Sequence, residues 1–279
     1  MQGRGNGEAG GAPEASGKHS MTGLTAPMLA VPAVASRLAA GGVAPGALVI
    51  TSTTPLWYLT RATGLVALVL LTLNMAAGLL TSVRYERPAW PRFVTAGLHR
   101  NTALLALAFT GVHIVTTLTD SFVPIHVQDV FIPFISAYRP LWLGLGAIAF
   151  DLMLALAVTS LLRTTMSYWS WRLVHWGAYL CWPVAVLHGL GTGTDTRVRW
   201  VLGLTVACVV LIAVLIGWRL AYGWPSYAAA RLVGALTLVL ALIVGSAWLT
   251  AGPLRPGWAV RAGTPTHLVS GGGKTGSTR

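Results

Sequence analysis

The stretch 97-GLHRNTALLALAFTGVHIVTTLT-119 decides the fold. Its 23 residues carry one formal charge, Arg100. As a helix rising 1.5 Å per residue it is long enough to cross the ~30 Å hydrocarbon layer of a bilayer. Two histidines, His99 and His113, lie 14 positions apart on it.

Five further apolar segments flank it, at 57–81, 140–162, 171–190, 199–221 and 231–252, each near the ~20 residues that a spanning helix needs. The whole 279-residue chain is 54% hydrophobic and 9% charged, against roughly 25% charged in an ordinary soluble domain. That composition leaves too few charges for a water-facing surface. It also excludes collagen-like, disordered and disulfide-scaffold classes. Only segments that satisfy their own backbone cross lipid in this way, so the sequence predicts an all-α integral membrane bundle of six transmembrane helices. Trp57, Tyr58, Trp90, Trp142, Trp169, Trp171, Trp200, Trp218, Tyr222 and Trp224 stand at interfacial depth, and Pro88, Pro91, Pro140 and Pro225 fall in the breaks.

Three regions follow. Residues 1–54 form a disordered or interfacial N-terminal segment: 1–20 is Gly-rich and polar, and 22–50 is interrupted by Pro27, Pro32, Arg37 and Pro45, leaving a weak extra span open. Residues 55–252 hold the six helices, and 253–279 form a polar tail. The net charge of +12 sits at the ends of apolar runs, which fits anionic lipid head groups and not nucleic acid. Eight arginines (84, 87, 92, 100, 163, 172, 219, 231) flank one face and six (61, 139, 197, 199, 255, 261) the other. The bias predicts a multi-pass cell-membrane protein with both termini outside.

Four of the seven histidines lie inside spans, where ionisable groups are costly and mark function. His99 and His113 sit on the second span; His175 and His188, 13 apart, sit on the fourth. These two spans run in the same direction, so His99 is level with His175 and His113 with His188. Facing imidazole pairs with small residues nearby (Gly97, Gly111, Gly177, Ala178, Gly189) suit a haem iron with two axial histidines. With no C-x-x-C-H, two haems would be b-type, with propionates met by Arg100 and Arg172 at one level and Arg61 or Arg197 at the other. At ~100° per residue, 14 positions return to within about 40° of one face, but 13 miss by about 140°. An ideal fourth helix therefore cannot present both rings alike, and Pro183 is the expected irregularity. The alternative is four hydrogen-bonded packing histidines in a haem-free transporter or structural bundle.

The spacing H-x13-H on one span and H-x12-H two spans later, with the segment 171-WRLVHWGAYLCWPVAVLH-188, resembles the ferric-reductase-like transmembrane domain shared by ferric reductases and NADPH oxidases. The likeness covers about residues 55–222. It implies that His99 and His175 bind an inner haem b and His113 and His188 an outer one. It further implies oxidoreductase chemistry: an electron taken from the cytoplasmic side and passed to an extracytoplasmic acceptor, ferric iron or a flavin-bearing reductase protein. The chain departs from that family's usual continuation into a flavin and nicotinamide domain, having a sixth span and no G-x-G-x-x-G after a strand. FAD or FMN is thus expected only on a partner, with a separate flavoprotein or quinol as donor. The chain is also similar to the membrane haem subunit of bacterial methionine sulfoxide reductase systems, so a haem-bearing anchor serving one dedicated reductase is the alternative.

Several other residues carry expectations. Asp120, Asp129 and His126 lie in one connection, where they attract ferric iron, dock a partner or are simply solvated. The run 189-GLGTGTDT-196 either cradles a propionate through backbone amides or is a plain turn. Asp151, mid-span, is protonated and hydrogen-bonded to a helix neighbour, or serves proton uptake or a quinone pocket. Asn74, Cys181 and Cys208 read as packing residues.

Overall fold

A computed structural model describes residues 55–82, 91–120, 123–222 and 224–269. The expectations for 1–54 lie outside these residues. Six helices are long and apolar enough to cross a membrane, and no strand occurs among the described residues. The protein is an all-α membrane bundle. Its spanning elements are α1 (Pro55–Ser82), α2 (Arg92–Thr119), α4 (Pro140–Leu161), the broken pair α5 (Tyr168–His175) and α6 (Ala178–Thr192), α7 (Arg199–Ala221) and α8 (Ala228–Ala251). Short helices α3 (Val127–Phe131), α9 (Trp258–Arg261) and α10 (Thr266–Val269) lie in the connections.

The bounds follow the chemistry of the ends. α2 begins five residues before the apolar run, directly after Pro91, because the first helical turn has no intrahelical N–H bonds to lose to a proline. α4 likewise opens on Pro140. α1 packs along α2, and α4 along α6; α7 joins α1, and α8 touches α7. Met75, Ala76 and Leu79 of α1, Trp182 and Val186 of α6, and Cys208 and Ile212 of α7 form the buried core. Within it the Trp182 indole N–H donates to Thr72 Oγ1 at 3.0 Å, so the ring is buried with its polar atom satisfied. Elsewhere large apolar side chains point outward. α8 contains no buried residue, which suits a helix whose neighbour is lipid.

The fourth span is two helices. After His175 the chain makes tight i→i−3 bonds, Gly177 N–H to Val174 O (2.8 Å), Tyr179 to Trp176 (3.0 Å) and Leu180 to Gly177 (3.0 Å). Such a turn advances about 120° per residue in place of 100°. This recovers part of the phase that 13 ideal positions lack. The irregularity thus lies at Trp176–Gly177, while Pro183 sits inside a helix that continues through it.

Residues 253–269, expected as part of a polar tail, fold back on the His188 end of the bundle. Arg139, only 2% exposed, donates Nε–H to Thr264 Oγ1 (2.9 Å) and Nη1–H to the carbonyls of Gly191 (3.0 Å) and Thr192 (2.9 Å). It therefore caps the last turn of α6, where a cation opposes the helix dipole. The Trp258 indole N–H also donates to Gly191 O, at 3.1 Å, and Trp142, Trp248 and Trp258 cluster with ring centroids 5.0–6.1 Å apart. Gly263, at φ +90°, accepts from the Arg139 N–H at 3.1 Å, a conformation that side-chain-bearing residues avoid.

Candidate functional site

α2 and α5–α6 bring the four intramembrane histidines together as two pairs. The ring centroids of His99 and His175 are 6.1 Å apart at an interplanar angle of 75°, and those of His113 and His188 are 6.5 Å apart at 81°. Metal–imidazole bonds of ~2.0–2.1 Å on either side of one ion put two ring centroids about 6.3 Å apart. Both pairs stand at that spacing.

Three of the rings are aimed by backbone carbonyls. His99 Nδ1–H donates to Asn74 O (3.0 Å), His113 Nδ1–H to Thr60 O (2.8 Å) and His188 Nδ1–H to Trp142 O (2.9 Å). A carbonyl can only accept, so each bond puts the proton on Nδ1 and leaves the Nε2 lone pair available, the arrangement found behind metal-bound histidines. Asn74 does more than pack: its carbonyl aims His99, while its side-chain Oδ1 accepts from Thr102 Oγ1 at 3.2 Å. His175 differs. Its Nδ1 is buried without a hydrogen bond, and its ring stacks on Trp171 at 4.8 Å and 21°.

The glycines that admit the rings are not those beside the histidines in sequence. A Cβ on Gly146 of α4 meets His188 at 2.5 Å, one on Gly64 of α1 meets His113 at 3.1 Å, and one on Gly78 of α1 meets His99 at 3.3 Å. A Cβ on Gly97, Gly111 or Gly189 meets no protein atom within 4 Å, and one on Gly177 meets the Val174 carbonyl of its own chain. The missed signal was present: Gly64 and Gly78 are 14 apart on α1, as His99 and His113 are on the antiparallel α2.

A cavity of about 290 Å³ surrounds His113 and His188 and reaches Arg61, Asp120, Asp129 and Asp195, close to the ~300 Å³ lower bound of small-molecule sites. Thr60 Oγ1 and Thr194 Oγ1, both in its wall, are buried without hydrogen bonds. A buried hydroxyl without a partner is able to bond a polar group placed beside it. Arg61 forms an ion pair with Asp195 and lies 5.7 Å from the Trp57 ring centroid.

No family model, curated protein or solved structure matches this chain.

The remaining predicted residues are placed as follows. Arg172 lies over the rings of Tyr168, Trp169 and Trp176 at 5.5–5.9 Å, one turn before His175. The Arg100 side chain and Arg197 are exposed. In the run 189–196, Gly189–Thr192 complete α6, Gly193 N–H returns to Gly189 O (3.0 Å), and Thr196 Oγ1 closes the turn on Leu190 O (3.1 Å). The amides up to Gly193 therefore end a helix. Asp129 accepts from the His126 N–H at 2.9 Å. Asp151 makes no hydrogen bond to a helix neighbour among the described residues. Cys181 Sγ–H donates to Ala149 O at 3.4 Å, as expected of a packing residue. At the bundle end, burial pulls the Arg139 guanidinium below its usual range, opposed by the adjacent Tyr138, and burial pushes the Tyr138 phenol up, opposed by Arg139.

Proposed function

We propose that this chain is a membrane haem protein of ferric-reductase-like type that carries electrons across the bilayer. His99 and His175 would hold one haem b, and His113 and His188 a second. The observation that carries the reading is the pair of centroid separations, 6.1 and 6.5 Å, each matching two imidazoles on one ion.

The donor set supports haem over a bare metal. Among the described residues no group of three His, Cys, Asp or Glu converges to hold an ion. Two imidazoles alone are a poor site for a bare metal, whereas a haem would bring further ligands of its own. A haem held by these histidine pairs would supply one-electron transfer.

The chain's own residues have definable parts in this. The carbonyls of Asn74, Thr60 and Trp142 fix tautomer and ring direction. Gly64, Gly78 and Gly146 let α1 and α4 close on the rings, Arg61 supplies positive charge at the His113–His188 cavity, and the unpaired hydroxyls of Thr60 and Thr194 offer hydrogen bonds there. With both termini outside, the His99–His175 pair faces the cytoplasm, where a separate flavoprotein or quinol donates. The His113–His188 pair faces the acceptor, ferric iron or a flavin-bearing reductase protein.

A reduced-minus-oxidised spectrum with haem stoichiometry tests this on the wild type, His113→Ala and His188→Ala. The expected result is a b-type spectrum with two haems per chain, falling toward one in either variant. Folded protein without haem overturns the reading.

A further inference from the structure

The four histidines are not held alike. His99, His113 and His188 each donate Nδ1–H to a backbone carbonyl, whereas His175 Nδ1 is buried without a partner. In place of a carbonyl, His175 has an aromatic ring. Trp171, one helical turn earlier, stacks on it at 4.8 Å and 21°, and the Arg163 guanidinium lies 4.7 Å from the centroid of Trp171. The Trp171 Nε1–H is itself buried and unpaired, so the indole is held there by its faces and not by its polar edge.

We propose that Trp171, backed by Arg163, is the positioning residue for His175, doing by stacking what a carbonyl does for the other three rings, and that its site is the more easily reduced of the two. This rests on the haem reading above. A Nδ1–H···O=C bond makes an imidazole a stronger donor to the metal and so favours the oxidised ion. The His113–His188 pair has two such bonds and the His99–His175 pair has one. A cation behind the stack disfavours the oxidised state further. Arg163 is exposed, so its contribution is weakened by salt, with a Debye length of ~8–10 Å in ordinary buffers. That of the missing carbonyl bond is not.

Potentiometric titration of the full chain in detergent or nanodiscs, followed by haem absorbance and by the low-spin ferric EPR signal, tests the proposal. His188→Ala identifies the component belonging to His99–His175, which should be the higher of the two. Arg163→Gln should lower that component alone, by less as salt is raised. Trp171→Leu should perturb its EPR signal or lose its haem, and Trp171→Phe should restore both. Wild-type titrations in Arg163→Gln and both Trp171 variants, or a lower potential for the His99–His175 component, overturn it while leaving two haems in place. Wild-type protein without haem overturns the proposed function and this inference together. Should Trp171→Leu fail to fold, Arg163→Gln and the order of the two potentials still decide.

Discussion

Gly146 and His188 are in contact such that a methyl group on Gly146 falls 2.5 Å from the imidazole Nδ1 and Cε1, the edge of the ring that is tied to Trp142 O. Helix α4 therefore sets the position of a histidine it does not carry. Gly146→Ala is expected to push the ring off its carbonyl, at an overpacking cost of about 1–3 kcal/mol, and to remove about half of the bound haem. Gly64→Ala and Gly78→Ala, at 3.1 and 3.3 Å, should do less, and Gly97→Ala nothing. Haem stoichiometry across the four variants checks the order, and equal effects at Gly146 and Gly97 would contradict it.

Arg139 joins three parts of the chain at one buried guanidinium: α4, the end of α6, and the segment containing Thr264. Arg139→Met strips the charge-assisted bonds from the Gly191 and Thr192 carbonyls, and each bond of this kind contributes about 1.5–3 kcal/mol. Trp258 keeps one bond to Gly191 O, so the expected loss is about 3 kcal/mol and not the full sum. Arg139→Lys recovers only part, because an ammonium cannot reproduce the fork. Thermal unfolding in detergent measures the loss. Limited proteolysis should also find 253–269 newly cleavable in Arg139→Met.

How much of this was legible in the sequence depends on whether the signal was local. Span number, span order and both histidine levels follow from hydropathy and from the spacing of His99, His113, His175 and His188, all properties of single helices. The break at Trp176–Gly177 was not, since nothing but Gly177 marks it and Pro183 is the stronger breaker on paper. The glycines under the rings belong to neighbouring helices and become readable only once α1 is paired with α2 and α4 with α6. Arg139 read as one more interfacial arginine. Its burial depends on the 253–269 segment returning to the bundle, which no local pattern announces.

Asp151 sits near the middle of α4, with neither a hydrogen bond nor an ion pair to a neighbouring side chain among the described residues. An ionisable group at that depth costs about 2.5–3.5 kcal/mol on insertion scales. Asp151→Leu is therefore expected to stabilise the protein in a bilayer, and Asp151→Asn to do so less, with haem content unchanged in both. Unfolding in nanodiscs reads the stability. A loss of electron transfer without a loss of haem would instead assign the carboxyl a proton-handling role.

Arg61 faces two demands at the His113–His188 cavity, because the guanidinium that would meet a haem propionate is already paired with Asp195. Both side chains are only partly buried, 25% and 29% exposed, so the pair itself contributes no more than about 1 kcal/mol to folding. Its larger effect is electrostatic. Asp195→Asn removes a negative charge and frees Arg61, which should raise the reduction potential of the component lost in His188→Ala. Arg61→Gln should lower it and weaken haem retention there, while both variants leave the Tm within a few degrees of wild type. The His99–His175 component, a bilayer leaflet away, should not move in either. A shift of both components by equal amounts would mean that Arg61 acts on the protein as a whole and is no local anchor.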